Sequence, residues 1–292
     1  MEDEEDLGRM IGPVQIGELY YDLDTHDLEA GGDRTARVTC QTFWDENDNY
    51  PGLTSVVIPS SVNYEDEEYR VIGIGYGAFA FCGHLESVTL PDTLTEIDDN
   101  AFWGCCCLTS IVIPDSVRVI KKNAFYDCPG LASVELPNSL VCIGDRAFDD
   151  SEITSIRFPD SITQIGESVF SRSQIPIYND HLFAKLPHAY CGEFIVPEGI
   201  ETIAPDAFRH YADVSFAVVL PTSVTYIGKE AFCNCKELTS LTCRATVPPA
   251  LGKDVFSLID TSLPLYVPAD CIGLYRSAPQ WSDFSDIRAM PM

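Results

Sequence analysis

The sequence repeats one phrase at a nearly fixed interval, and this periodicity constrains the fold more than any other feature. LESVTLPDTLTEIDDNAFWGC begins at Leu85, LTSIVIPDSVRVIKKNAFYDC at Leu108 and LASVELPNSLVCIGDRAFDDS at Leu131, and further copies begin at Ile153 and Val218. Each copy carries a phenylalanine at a corresponding position, and successive phenylalanines are 22 to 24 residues apart except for one step of 38. These marker phenylalanines are Phe79, Phe102, Phe125, Phe148, Phe170, Phe208, Phe232 and Phe256.

A period of about 23 residues lies within the range of leucine-rich-repeat coils, roughly 20 to 29 residues. In SIVIP the apolar residues alternate, so Ile111 and Ile113 should face inward while Ser110 and Val112 face outward, as in a short strand. Pro114 then ends the strand, because it has no N–H for a ladder hydrogen bond. A single coil cannot enclose its own apolar face, so neighbouring coils must stack. We therefore predict a leucine-rich-repeat solenoid, mostly β, with short parallel strands in each coil and the marker rings stacked inside.

The segments outside the repeats predict end caps and one insertion. LYVPADCIGLYRSAPQWSDF, near the end, predicts a strand, then a short helix with Asp270 near its N-cap, then a closure by Trp281. The 38-residue step holds two alternating segments around a connection with Pro and Gly, which is typical of a hairpin. We predict an acidic tail and N-terminal β cap at 1–52, a solenoid at 53–260 with a hairpin insertion at 175–199, and a C-terminal strand and short-helix cap at 261–292.

The charge of the chain excludes several classes of partner. Its formal net charge is −27, from 45 acidic and 18 basic residues, so phosphate backbones and anionic lipid surfaces are repelled at long range. We expect no nucleic-acid partner. No apolar run is long enough for a membrane span, and the first 20 residues lack the basic and apolar regions of a signal peptide. We therefore expect no membrane insertion.

The chain has twelve cysteines, and their positions favour a structural role. Four of them lie three residues after a marker phenylalanine, and Ser151 and Ser173 take the same position in two other coils. A position that accepts serine or cysteine indicates that small volume matters more than sulfur chemistry, so we predict small buried thiols. An occasional disulfide between stacked coils stays open as an alternative. The four column cysteines are Cys82, Cys105, Cys128 and Cys235.

No other motif predicts a metal, cofactor or catalytic site. Cys105-Cys106-Cys107 lacks the spacers of a structural zinc site, and the histidines have no metal-binding spacing. GIGYGA at 73–78 matches a dinucleotide fingerprint formally, but its register makes it the turn before a marker ring. DENDN at 45–49 lacks the later ligands of a calcium loop and is typical of an acidic hairpin tip. We predict that the protein is not an enzyme. The histidines are His26, His84, His181, His188 and His210.

Two sets of outward residues are candidates for protein binding. Outward residues of successive strands form one column, and such faces are commonly used for protein contacts. A contiguous apolar patch there would indicate a binding surface, whereas isolated branched residues are explained by β-propensity alone. A second column follows the marker rings, where Trp103 and Tyr126 should be neighbours one coil apart. Exposed aromatic residues are common anchors of interfaces, although these two could instead pack half-buried against the turns. The candidate residues are Trp103, Tyr126, Thr89, Val112, Glu135, Arg157, Ile195 and Val219.

IPDSVRVIKKNAFYDC and LPTSVTYIGKEAFCNC resemble the BspA-like leucine-rich repeats, a family of bacterial cell-surface proteins, and the resemblance spans roughly 53–260. The final series of Tyr266, Val267, Pro268, Trp281 and Phe284 is also similar to that family. The resemblance implies a non-enzymatic protein at the cell surface or secreted, which adheres to or binds a host matrix protein or a bacterial protein. It implies no catalytic site and no cofactor. The alternative function is a carbohydrate-contacting surface protein.

Overall fold

The structure is a computed structural model that describes residues 10–25, 33–41, 50–187, 190–210 and 215–291. The chain divides into two compact units, Met1–Gln164 and Ile165–Met292. The division falls inside the repeat array, at the two-residue strand Gln164–Ile165. Each unit is a stretch of β-solenoid with its own cap.

The first unit consists of short strands, as the alternating pattern predicts. Ile111 and Ile113 are buried, whereas Val112 is 60% exposed, because successive side chains of a strand point to opposite faces. The strands are β1 (Met10–Ile16), β2 (Leu19–Asp24), β3 (Thr35–Thr39), β4 (Ser55–Val57), β5 (Ser61–Tyr64), β6 (Glu67–Ile74), β7 (Ser87–Thr89), β8 (Glu96–Ile97), β9 (Ser110–Val112), β10 (Val119–Ile120), β11 (Ser133–Glu135), β12 (Cys142–Ile143) and β13 (Ser155–Arg157), with β14 (Gln164–Ile165) at the boundary.

The strands of the first unit pair in a cap and in two series of coils. β1, β2 and β3 form an antiparallel cap, and β3 continues in parallel into β6, β8, β10 and β12. β4 pairs with β7, and β9, β11 and β13 form a three-stranded parallel sheet. Residues one repeat apart are in register, as Val112 is with Glu135. The predicted N-terminal β cap and stacked parallel coils are confirmed.

The second unit has the same plan with longer outer strands and a helical C-terminal cap. Its elements are β15 (Ile177–Tyr178), β16 (Leu182–Lys185), β17 (Gly192–Ile195), β18 (Thr202–Ile203), β19 (Phe216–Leu220), β20 (Tyr226–Ile227), β21 (Leu238–Cys243), β22 (Ala250–Leu251), β23 (Leu265–Val267), α1 (Ile272–Ser277) and β24 (Ile287–Ala289), with single 3-10 turns at Ala269–Cys271 and Trp281–Asp283. One sheet runs β15-β16-β18-β20-β22 and the other β17-β19-β21-β23-β24.

The segment 175–199 differs from the predicted insertion. An antiparallel hairpin is present, but it joins β15 to β16 through a turn at Asn179, and the second predicted strand, β17, pairs with β19 instead. β16 pairs in parallel with β18, with Phe183 opposite Ile203. The 38-residue step is therefore a shortened additional coil followed by the start of the next one. The alternation of 192–195 indicated a strand correctly, but it could not indicate that strand's partner.

The marker phenylalanines form a continuous stack through the core of the first unit. The ring centroids of Phe79 and Phe102 are 5.2 Å apart, and those of Phe102 and Phe125 are 5.1 Å apart with the planes within 2°. Phe148 adds the next ring at 5.1 Å, and all four rings have no exposed surface. The turns carrying the rings are also joined, since the Phe102 N–H donates to the carbonyl of Ala124 at 2.7 Å. Each coil thus packs its ring on the next one.

A second stack runs through the core of the second unit and includes a ring outside the marker series. Phe183 lies 5.1 Å from Phe208, and Phe208 lies 4.6 Å from Phe232, with nearly parallel planes. Phe256 continues the stack at 5.8 Å, and Trp281 packs against it at 5.1 Å between centroids. The shortened coil therefore keeps a core ring although it lacks the Ala-Phe phrase of the other coils.

Side chains of the cysteine column donate hydrogen bonds to backbone carbonyls of the preceding coil. The Cys128 thiol donates to the Phe102 carbonyl at 3.1 Å, and the Ser151 hydroxyl donates to the Phe125 carbonyl at 3.2 Å. Burial raises the pKa of Cys128 to about 12, so this thiol keeps the proton it donates. The prediction of small buried thiols is confirmed. At Ser151 the structure adds a reason that serine is tolerated, because its hydroxyl donates to the preceding coil as the Cys128 thiol does, whereas the Ser173 hydroxyl donates to the nearby carbonyl of Ile175. Thiols, without disulfides, are present at Cys82, Cys105, Cys106, Cys107, Cys128, Cys142, Cys191, Cys233, Cys235, Cys243, Cys271 and Cys40.

The C-terminal cap closes the second stack with buried aromatic residues. Trp281 is 1% exposed, and its indole N–H donates to the carbonyl of Pro249 at 3.0 Å. Tyr275 on α1 is fully buried, and its hydroxyl donates to the carbonyl of Ala245 at 2.8 Å. Asp270 lies in the first 3-10 turn and caps no helix with its side chain. The predicted closure by Trp281 is confirmed, and Asp270 lies next to the N-cap of α1, Cys271, as predicted.

Truncation of one central ring should destabilise the first unit strongly. Phe125→Ala removes a fully buried ring with a neighbour on each face, so the free energy of unfolding should fall by roughly 3–5 kcal/mol in urea denaturation. Val112→Ala, at a site 60% exposed, is the control and should change it by less than about 0.5 kcal/mol. Equal effects of the two substitutions would contradict the stacking model.

The donor at the cysteine column can be tested at Ser151. Ser151→Ala removes the hydrogen bond to the buried Phe125 carbonyl, so the free energy of unfolding should fall by about 1 kcal/mol. Ser151→Cys restores a donor and should recover most of that loss. If alanine and cysteine gave the same stability, volume alone would govern the position.

The buried Tyr275 hydroxyl should make the second unit sensitive to alkali. Burial raises the pKa of Tyr275 above its ordinary value of 10.0, so above about pH 10 the unfolded chain loses this proton while the folded chain retains it. The free energy of unfolding should therefore decline as the pH rises past 10. Tyr275→Phe should lower stability at neutral pH by about 1 kcal/mol and reduce the alkaline decline. Tyr226→Phe, at a residue 42% exposed, should leave the pH profile unchanged, and a profile unaffected by Tyr275→Phe would disprove this assignment.

Candidate functional site

The strand-face column of the first unit is exposed as predicted. Val57 is in register with Thr89, and Val112, Glu135 and Arg157 are in register on β9, β11 and β13. All five side chains are exposed, with Val57 at 73% and Val112 at 60%. The face therefore presents a row of branched, threonine and charged side chains at one residue per coil.

The corresponding column of the second unit is only partly exposed. Ile195, Val219 and Thr242 are in register on β17, β19 and β21. Ile195 is 52% exposed, but Val219 is 5% exposed, so its predicted exposure is wrong. Val219 lies on the central strand of three, with Ile195 and Thr242 opposite it on the two neighbouring strands. Glu135 is equally central in its sheet but extends further and reaches solvent.

Three aromatic side chains form a row on the turns of the first unit, which we name the aromatic ridge: Phe81, Trp103 and Tyr126. The ring centroids of Phe81 and Trp103 are 4.9 Å apart, and those of Trp103 and Tyr126 are 5.9 Å apart. All three side chains are half-buried. The predicted proximity of Trp103 and Tyr126 is confirmed. Phe81 is not among the predicted residues, because it lies two residues after its marker ring, Phe79, whereas Trp103 and Tyr126 each directly follow theirs.

Carboxylates surround one end of the aromatic ridge. The pKa of Tyr126 is raised above its usual value, first by burial and then by the negative charges of Asp150 and Asp149. Asp127 adds to this effect, and Arg146 opposes it. The electrostatic environment of the Tyr126 hydroxyl is therefore predominantly negative.

A network of buried charges lies in the second unit and was missed by sequence reasoning. Lys185 is 5% exposed, and its ammonium donates to the backbone carbonyl of Asp206 at 3.2 Å. The Asp206 carboxylate accepts hydrogen bonds from the N–H and hydroxyl of Ser168 and from Arg209, all at 3.0 Å. Burial, and next the positive charges of Arg209 and Lys185, lower the pKa of His210. The only signal in the sequence was a lysine at a strand position that alternation makes inward.

This network borders a cavity of about 50 Å³ between the turn of Phe170 and the turn of Phe208. The shortened coil contributes Ala184 and Lys185 to the wall. The volume suffices for a few water molecules and not for a metabolite. Because the Asp206 carboxylate already accepts hydrogen bonds from Ser168 and Arg209, we assign the network to joining the coils.

The other sequence motifs bring no reactive groups together. Gly77 has a φ of 60° and occupies the position that Asn100 takes one coil later, so GIGYGA is the turn before a marker ring as predicted. Within the described ranges, no group of three or more His, Cys, Asp or Glu side chains is arranged to hold a metal ion. DENDN at 45–49, His26 and His188 lie outside the described residues. Over the same described part of the chain, no helix has both the length and the apolarity to cross a membrane.

The stacked coils, marker rings and caps define a leucine-rich-repeat solenoid. The model of the BspA type leucine rich repeat region matches residues 48–176 and 180–265, in six copies. The chain therefore belongs to the BspA-type leucine-rich-repeat family. No match to this chain was found among curated proteins.

The chain is similar to several solved structures. A leucine-rich repeat protein from Bacteroides ovatus is 22% identical, with a TM-score of 0.57 over 96% of this chain and 77% of that chain. A leucine rich repeat protein from T. pallidum is 24% identical, with a TM-score of 0.48 over 84% and 88% of the two chains. A leucine rich cell surface protein from Faecalibacterium prausnitzii is 20% identical, with a TM-score of 0.35 over 97% and 96%. The Bacteroides likeness supports the fold alone.

Proposed function

We propose that this chain is a non-enzymatic, cell-surface or secreted adhesion protein that binds another protein through its strand face. Its family is typically protein-binding and surface-associated. The partner is a host matrix protein or a protein of a bacterial surface. The observation that carries this proposal is that each unit presents outward strand residues in register with those of the next coil. Val57 and Val112 in the first unit and Ile195 in the second are each more than half exposed.

The chemistry of this row suits a protein partner. Branched apolar side chains spaced along a rigid sheet offer a firm surface to bury, and exposed apolar residues cluster where proteins associate. Glu135 and Arg157 lie beside Val112 in the same register and add polar contacts at the edge of the patch. Each unit presents such residues from a parallel sheet, so neither depends on a mobile loop for their position.

The proposal is tested by inserting a charge on the strand face. Val112→Glu and Ile195→Glu should each weaken binding to a purified matrix or bacterial surface protein by about tenfold or more, because a carboxylate would be desolvated in the interface. Binding is measured by surface plasmon resonance against a panel of purified proteins. Val247→Glu is the control, since Val247 is 71% exposed but lies outside the strand column.

The control variant should bind like the parent protein, and all variants should keep the parent's circular dichroism spectrum and melting temperature. If every ligand that binds the parent binds Val112→Glu and Ile195→Glu equally well, the strand face is not the interface. Turnover of a substrate that a point substitution abolishes would overturn the non-enzymatic part of the proposal.

A further inference from the structure

The aromatic ridge is held in a fixed arrangement by the backbone beneath it. Phe81 has a φ of 61°, in the left-handed region that bulky residues rarely adopt. Gly104 has a φ of 73°, and a Cβ there would lie 3.1 Å from Cδ1 of the Phe81 ring. The Phe81 ring therefore packs over the bare glycine backbone of the next coil. The backbone N–H of Phe81 donates a hydrogen bond to the Trp103 carbonyl at 2.6 Å, which also joins the two turns.

The ridge leaves ring surface accessible to a partner. Phe81, Trp103 and Tyr126 are each half-buried, although the core of the same coils is filled by the separate stack of marker rings. The ring planes are inclined at 46° between Phe81 and Trp103 and at 57° between Trp103 and Tyr126. The ridge is therefore a row of tilted faces and not one flat platform.

The negative charges beside the aromatic ridge favour a positively charged partner. Asp127 directly follows Tyr126 and is exposed, and Asp149 and Asp150 occupy the corresponding turn of the next coil. Among the described residues whose charges most affect the pKa of Tyr126, Arg146 is the one base. The faces of Trp and Tyr rings attract cations, and carboxylates next to them add to the attraction.

We propose that the aromatic ridge, with Asp127 and Asp150 beside it, binds a basic segment of a protein, whose lysine or arginine side chains lie over the Trp103 and Tyr126 rings. This inference rests on the proposed function, because it takes the partner to be a protein. The net charge of −27 favours the approach of a basic segment at long range.

The experiment uses a short oligolysine peptide and the full chain, with the dissociation constant measured by fluorescence anisotropy at low and physiological salt. Asp127→Asn with Asp150→Asn removes two charges beside the ridge. Both residues have φ values of 55° to 59°, which asparagine tolerates, so the fold should be kept. Binding should weaken about tenfold.

Asp254→Asn with Asp283→Asn is the matched control, since it removes the same number of charges at exposed positions of the second unit. It should weaken binding by less than about twofold. The peptide should also change the emission of Trp103, and Trp103→Phe should abolish that change and weaken binding about threefold, because phenylalanine attracts cations less than tryptophan.

Three outcomes would overturn the inference. Equal losses in the two aspartate variants would show a general attraction to an acidic protein. Peptide binding that leaves Trp103 emission unchanged would place the site elsewhere. Binding of neutral oligosaccharides that depends on Trp103 but not on the aspartates would make the ridge a glycan site. The strand-face variants Val112→Glu and Ile195→Glu should bind oligolysine normally, so failure of the ridge is distinguishable from failure of the proposed interface.

Discussion

The contact between one coil and the next is the interaction on which the rest of the structure depends. Strands of two or three residues cannot be stable by themselves, and β8 and β10 have two residues each. They persist because parallel pairing, turn-to-turn hydrogen bonds and ring stacking all join the same neighbouring coils. Phe102 and Phe125, 5.1 Å apart, contribute the central part of this contact.

The same contact explains why the outward surface can vary. Inward positions are fixed by the need to match the coil on each side, and the marker ring and the small donor at Ser151 or Cys128 are examples. Outward positions such as Thr89, Val112 and Glu135 vary in charge and size although their backbones are equivalent. A solenoid of this kind can therefore change its recognition surface without changing its core.

The periodic part of the fold could be predicted from the sequence, because the same residue at the same interval must meet its copies when coils stack. Phe79 to Phe148 and the inward isoleucines follow directly from this rule. Phe183 could not be found in this way, since its coil lacks the Ala-Phe phrase and only the pairing of β16 with β18 places its ring in the stack. The sequence could not predict that β17 pairs with β19, because alternation indicates which face of a strand is buried and does not indicate the strand with which it pairs.

The candidate site was predictable in part. The register of outward residues gave the exposed Val112 and Ile195, and the turn column gave the Trp103 and Tyr126 pair. The prediction that Val219 is exposed was wrong, because alternation assigns a residue to one face of a strand and does not give how far that face is covered. The buried Lys185 and Asp206 pair likewise depends on a gap between coils that exists only once the shortened coil is folded.

The stacking of neighbouring coils is tested most directly by a double-mutant cycle on the rings of the first unit. Phe102→Leu and Phe125→Leu would be measured singly and together by urea denaturation, beside the same cycle for Phe79 and Phe125, which are two coils apart. The account predicts a coupling energy of about 0.5 kcal/mol or more for the adjacent pair and near zero for the separated pair. Additive effects in both cycles would contradict it.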